Sequence, residues 1–216
     1  VPAHIFRAEY AQNMIQELPS QILENAVQSL ASLPGVGRKT ALKYALFLLK
    51  QDNKTSNQFI DNINNLISNI QYCTKCHNIS DKPICEICNN SKRDHHTICV
   101  VETIKEVMLI ENTAQYDGVY HVLGGLISPI NGISPSDLEI SSLIDRVQKE
   151  EIEEIILALS PNVEGDTTCF YLYRKLADFN IKITTIARGV AIGDNLEYAD
   201  EITLGRSIKN RINYHS

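Results

Sequence analysis

Four of the chain's six cysteines fall within residues 73–88, "CTKCHNISDKPICEIC". Cys73 and Cys76 make one Cys-x2-Cys pair, Cys85 and Cys88 a second, and eight residues separate the two. Each pair is a turn whose sulfurs converge on one point, and four thiolates at about 2.3 Å form the closed tetrahedral shell of structural Zn²⁺. A catalytic zinc keeps one position open for water, and four thiolates leave none. The expectation is one structural zinc ion per chain, clamping a loop too small to own a core. His77, His95 and His96 lie near the pairs as spare ligands that a complete shell does not need. Disulfides would be the alternative in a secreted chain. The N-terminal residues show no basic region followed by an apolar stretch, so metal ligation in the cytosol is the better reading. Cys99 and Cys169 sit in apolar or helical surroundings and read as buried thiols rather than nucleophiles.

A second motif, "LPGVGRKTA" at residues 33–41, places Gly35 and Gly37 one residue apart between two helical stretches. Glycine permits backbone conformations that a β-carbon forbids. A hairpin of this kind aims backbone N–H groups outward at the start of the next helix, where the dipole also favours an anion. Arg38, Lys39 and, one turn on, Lys43 supply positive charge, with Lys39 and Lys43 on one helix face. The segment resembles the helix–hairpin–helix motif, which binds DNA phosphates without reading sequence. A plain helical turn with a solvated basic face, or a subunit contact, is the competing reading.

The third constellation is acidic. Glu102 ends the apolar run "ICVVE", and "LALSPNVEGDTT" follows another apolar run. In an open parallel sheet both ends lie on the rim where ligands bind. The arrangement resembles the Toprim domain of topoisomerases, primases and some nucleases, which holds Mg²⁺ with a glutamate after the first strand and an Asp-x-Asp pair after a later one. Glu102 fits the glutamate, but Ser160 and Asn162 occupy the acid pair. Mg²⁺ is hard and strongly hydrated, so neutral groups hold it poorly. Glu164 and Asp166 fall at the start of the next helix, where carboxylates also complement the dipole. The layout is that of a catalyst without its metal ligands.

The elements that must position these groups follow from apolar periodicity. Ile22, Leu23, Ala26, Val27 and Leu30 recur at helical spacing, "RKTALKYALFLLK" resumes it, and Phe59, Ile60, Ile63, Leu66, Ile67 and Ile70 mark a third amphipathic helix. After the cysteines the rhythm changes. "ICVVE", "VYHVLGG", "EIILAL" and "IKITTIA" read as strands. "TIKEVMLIEN", with Thr103 and Glu106 spaced as a capping box, "SPSDLEISSLIDRVQKE" and "TTCFYLYRKLADF" read as the helices between them. This alternation predicts an open, mainly parallel α/β sheet. "LEYADEITLGRSIKNRI" adds a last strand and helix. The fold class is therefore α+β and multidomain. The expected segments are a leader or appended extension over residues 1–13, a helical domain over 14–71, a zinc module over 72–92, a Toprim-like α/β domain over 96–192 and a tail over 193–216.

The apolar share of 44 % is ordinary for a chain that buries a core, and no apolar run approaches the about 18 residues of a membrane span. The net charge of −6 argues against a protein that coats nucleic acid over its whole surface. Residues 14–56 carry five basic side chains against three acidic ones, whereas residues 100–192 carry seven against fourteen. A polyanion must therefore approach the helical domain.

The order of hairpin, four-cysteine module and degraded acid rim resembles the RecR family of bacterial recombination mediators. "YHVLGGLISPINGI", "PNVEGDTT", "TTIARGV" and "LEYADEITLGRS" also look like segments of that family. The resemblance covers nearly the whole chain from about Met14. It implies a non-enzymatic DNA repair protein of the bacterial cytoplasm and nucleoid. It further implies homo-oligomers from dimer to ring tetramer, and action with RecO and RecF to place the RecA recombinase on single-stranded gaps. It assigns DNA contact to Gly35, Gly37, Arg38, Lys39 and Lys43, zinc to Cys73, Cys76, Cys85 and Cys88, and partner docking to Glu102, Glu164 and Asp166. The competing classes are a Mg²⁺-dependent Toprim nuclease or primase, which Ser160 and Asn162 oppose, and a zinc-stabilised adaptor without nucleic acid, which Lys39 and Lys43 oppose.

Overall fold

A computed structural model describes residues 18–191, 193 and 195–211. The expected leader, residues 1–13, lies outside the described residues. The chain divides into two compact units, residues 1–68 and 69–216.

The first unit is helical. Ser20 opens α1 (Gln21–Ala31) by accepting a hydrogen bond from the Leu23 N–H, and α2 (Arg38–Lys50) follows the glycine hairpin. The two helices meet through Val27, Ala41 and Ala45, all buried. Two alanines at i and i+4 on α2 let the backbones approach closely, and Leu23, Leu30, Val36 and Leu42 pack around the contact. Asp52 caps the next helix, α3 (Asn53–Asn69), through the Thr55 N–H. This is the expected third amphipathic helix, but none of its residues is buried, and Phe59, Ile60, Ile63, Leu66 and Ile67 stay exposed.

The second unit begins with a two-rung antiparallel pair, β1 (Gln71–Tyr72) with β2 (Ile79–Ser80), and the single turn α4 (Glu86–Asn89). Four parallel strands then form a sheet in the order β4-β3-β5-β6: β3 (Asp94–Val101), β4 (Gly118–Val122), β5 (Glu154–Ala158) and β6 (Lys182–Thr185). The pleat of β3 sends Ile98 and Val100 to one face, where Leu143 and Leu172 cover them, and Cys99 and Val101 to the other, where Val107 does. These covers belong to α6 (Ile140–Lys149) and α7 (Val163–Leu176) on one face and α5 (Ile104–Asn112) on the other. Strands buried on both faces read as unbroken apolar runs, which makes them visible in the sequence. The Thr103–Glu106 capping box of α5 is formed in both directions.

The tail departs from expectation. Among its described residues there is no strand: Leu196–Tyr198 is a 3-10 turn, closed by the Asn195 side chain accepting from the Glu197 N–H. A helix, α8 (Glu201–Lys209), follows, capped by Asp200 through the Thr203 N–H.

Candidate DNA-contact hairpin, metal centre and acidic rim

The hairpin turns at Leu33-Pro34-Gly35-Val36, where the Val36 N–H donates to the Leu33 carbonyl at 3.0 Å. Gly35 has φ +78°, and proline second with glycine third in a turn is the type II signature. Gly37 differs. It stands at the N-cap of α2 with φ −79°, a conformation open to any residue, and nothing lies within 4 Å of where a β-carbon would sit. Neither backbone strain nor packing demands glycine there. The N-cap offers no side chain to the first turn and no acid sits in it; the Thr40 N–H turns back to the Gly37 carbonyl at 2.9 Å, which leaves the N–H groups of Arg38 and Lys39 without an acceptor among the described residues.

Lys39 and Lys43 are exposed. Arg38 is engaged: its two terminal nitrogens each donate to a carboxylate oxygen of Glu24 at 2.7 Å, a forked pair that ties the start of α2 to α1. The Arg38 hydrogen bond holds the Glu24 carboxyl below its ordinary value. Glu24 lies fourteen residues away, a pairing that local spacing does not display.

In the cysteine module all four Sγ atoms lie within 4.8 Å of one another, and all four residues are buried. Tetrahedral ligation at about 2.3 Å requires sulfurs about 3.8 Å apart, and Cys76 Sγ lies 3.5 Å from Cys85 Sγ. The Cys85 N–H donates to Cys73 Sγ at 3.3 Å and the Cys88 N–H to Cys85 Sγ at 3.4 Å, bonds that favour thiolates. Without a cation the contacts with Cys85 and Cys88, and then burial, push the Cys76 thiol up, so four thiolates share this space only around a positive ion. The donor set fits one Zn²⁺. Among the described residues it is also the group of His, Cys, Asp and Glu side chains that comes close enough to hold a metal.

The spare histidines are occupied elsewhere. His95 Nε2 meets the Asn90 carbonyl, His96 Nδ1 meets the Glu151 carbonyl, and His77 packs edge-on to His121 with its Nε2 3.5 Å from Glu139. The module is fastened to the α/β domain by the Val122 N–H donating to the Cys76 carbonyl at 2.8 Å and by Lys75 facing Glu150 at 3.3 Å. Of the remaining cysteines, Cys99 is buried and its thiol pushed up to about 12 by that burial, while half-buried Cys169 is raised for the same reason. Both stay protonated thiols.

At the sheet rim, Val101 pairs in register with Ala158 and Val122, so the chain leaves β3, β4 and β5 at one edge. Ser160 Oγ donates to Glu102 Oε2 at 2.9 Å. Asn162 caps α7, its Oδ1 accepting from the Gly165 N–H at 2.7 Å. Gly165 is required by close approach, since a β-carbon there would lie 1.8 Å from the Ser160 carbonyl. The two positions that would present carboxylates to Mg²⁺ are thus spent on holding the loop. Glu164 has no ion pair among the described residues. Asp166 is clamped by Arg188 and approached by Arg206 at 3.9 Å. Sequence reasoning misses these two arginines, because charge pairing between residues so far apart along the chain leaves no local spacing to read.

The comparisons with known proteins follow the same order of parts. Residues 23–67 match the family model for the RecR helix-hairpin-helix and residues 70–90 that for the four-cysteine zinc finger domain of RecR. Residues 96–187 match the Toprim domain and residues 189–212 the RecR C-terminal region. The chain is 57 % identical over 201 residues to the Recombination protein RecR of Porphyromonas gingivalis, covering 93 % of this chain and 97 % of that one. Against the protein of the same name from Parabacteroides distasonis the figures are 58 % over 202 residues, 94 % and 97 %. For that of Flavobacterium johnsoniae they are 55 % over 196 residues, 91 % and 95 %. With hairpin, zinc module, sheet and tail all matched in order, the chain belongs to the RecR family of recombination proteins.

Proposed function

We propose that this protein is a non-catalytic DNA-binding mediator of recombinational repair, working with RecO- and RecF-type partners to help place a RecA-type recombinase on single-stranded gaps. The observation that carries the DNA role is the hairpin. Gly35 turns the chain at φ +78°, α2 begins with no side-chain cap, and Lys39 and Lys43 stand exposed behind it. Outward N–H groups, a helix dipole and two cations suit phosphate oxygens, and none of them reads a base. Few phosphates are met per chain, so useful affinity requires several chains, from a dimer to a ring tetramer. The uncovered apolar residues of α2 and α3 support self-association. The absence of catalysis rests on Ser160 and Asn162, whose hydrogen bonds support the loop in place of a second and third carboxylate. Glu102 and Glu164 are assigned to partner docking, with Asp166 held in place by Arg188. The site of action is the bacterial cytoplasm, at the nucleoid.

The test is a salt titration of duplex binding by fluorescence anisotropy. Wild type should bind weakly and without sequence preference, its affinity falling steeply with salt. Lys39→Glu with Lys43→Glu should abolish binding and leave zinc content intact. A double variant that is folded and binds with wild-type affinity and salt slope would move the DNA surface elsewhere.

A further inference from the structure

The outer face of α7 carries chemistry that the hairpin, the zinc module and the rim leave unused. The helix turns Gly165, Thr168, Leu172 and Leu176 inward. Outward it shows Phe170 and Tyr173, 64 % and 56 % exposed, with Arg174 and Lys175 exposed beside them. Spacing of four residues sets each cation over a ring. Arg174 Cζ lies 6.0 Å from the Phe170 centroid, and Lys175 Nζ 5.7 Å from that of Tyr171. Phe170, Tyr171, Arg174 and Lys175 wall a groove of about 480 Å³ that Ile127 and Pro135 close on the other side, while Tyr173 stands outside it on the far flank of Phe170.

The charges here are out of keeping with their surroundings. Residues 100–192 hold twice as many acidic as basic side chains, and four of the seven bases are ion-paired: Arg146 with Glu150, Lys149 with Asp145, Lys182 with Glu154 and Arg188 with Asp166. Arg174 and Lys175 have no ion pair among the described residues. Their place in the last turn suits the helix dipole, but that accounts for neither the exposed rings nor the groove. Two cations that rest on rings without an ion pair ask for an anion, and the ring faces they leave exposed ask for a flat apolar partner. An acidic protein surface supplies the first and scattered apolar side chains, but not flat rings in regular alternation with anions. Duplex DNA supplies only the first, because its bases are stacked out of reach. A single strand supplies both, stacking bases on aromatic side chains while its phosphates are neutralised.

We infer that the outer face of α7 is a single-strand contact, with Phe170 and Tyr173 stacking bases and Arg174 and Lys175 taking phosphates. It rests on the DNA-binding reading above and adds to it a site selective for unpaired strands. The chain has no tryptophan, so Phe170→Trp introduces a single reporter. Its emission should be quenched by short oligo-dT and left unchanged by a blunt duplex. Phe170→Ala, and separately Arg174→Glu with Lys175→Glu, should weaken oligo-dT binding about tenfold or more while duplex binding holds. The altered side chains are exposed, so melting temperature and zinc content should match wild type. Wild-type oligo-dT affinity in the charge-reversed variant, or an unquenched Phe170→Trp, would overturn the site. So would a change in assembly mass in these variants, which would make the face a protein interface. If wild type binds duplex and not oligo-dT, this site falls and the hairpin stands. If Lys39→Glu with Lys43→Glu keeps duplex binding, the hairpin falls and α7 is judged on its own quenching.

Discussion

Gly35 and Gly37 are separated by one valine, yet the fold asks different things of them. Gly35 sits at positive φ, so Gly35→Val should cost on the order of 1–3 kcal/mol and misform the turn. Gly37 occupies ordinary backbone with open space ahead of it. Gly37→Ala should cost roughly 0.5–1 kcal/mol, since alanine is a poorer N-cap than glycine, and its methyl points where a phosphate would approach. Chemical denaturation and anisotropy on the pair of variants should separate the effects: the larger loss of stability at 35, and at 37 a loss of DNA affinity out of proportion to the smaller loss of stability. In the sequence the two glycines look alike, because φ is set by the turn around them. Arg38 is a similar case, grouped with the lysines by proximity and found paired with Glu24 across the hairpin. Ser160 offers a further test at this scale. Ser160→Asp together with Asn162→Asp restores the acid pair beside Glu102, and carboxylates crowded together repel unless a cation intervenes. The melting temperature of this variant should fall without Mg²⁺ and recover with it, while that of wild type responds little to the ion.

At the scale of elements, legibility follows the length of the apolar pattern. β3, β4 and β5 are visible in the sequence because both of their faces are buried, and α5 because its capping box is local. The β1–β2 pair, two residues a side, is too short for any period to register. The zinc module shows the limit from the other direction. Its cysteine spacing announces the site, but its attachment does not appear in the spacing: the Cys76 carbonyl on the Val122 N–H, His77 at φ 60°, and Lys75 on Glu150. The buried cluster of this segment is the four cysteines themselves, with Ile87 beside them. Metal binding therefore stands in for a core, contributing on the order of 10 kcal/mol in modules of this kind. Cys76→Ala should abolish stoichiometric zinc and lower the melting temperature. Because its carbonyl holds the end of β4, hydrogen exchange should rise at β1, β2 and Val122 before it rises at β3 or β5. Protein purified without chelators and found free of zinc would defeat this account.

At the scale of the molecule, charge and exposed apolar surface point to assembly. The domain that carries the hairpin has the small basic excess and the α/β domain is acidic, so on the proposed function a single chain would meet few phosphates and its acidic domain would oppose the approach of DNA. Each phosphate neutralised contributes roughly −0.9 to the slope of log affinity against log salt on B-form DNA. A lone hairpin with Lys39 and Lys43 would give a slope of only about −2 by that measure, whereas several hairpins gathered on one duplex multiply it. The surface that would gather them is apolar and uncovered: Leu49 on α2 and Ile67 on α3 are 73 % and 74 % exposed. Leu49 stands about a third of a turn around α2 from Lys43, so the two can meet different partners. Burying such side chains between copies removes apolar area from water, and a carboxylate placed among them would have to be desolvated without a partner. Leu49→Asp with Ile67→Asp should therefore lower the solution mass seen by light scattering while leaving helix content and zinc unchanged, because neither side chain is buried within one chain. DNA affinity should fall with the mass, and the salt slope should become shallower towards the single-hairpin value, although both lysines remain. A variant of reduced mass that kept the wild-type slope would show that one chain suffices, and that the phosphates are met by residues other than repeated copies of this hairpin.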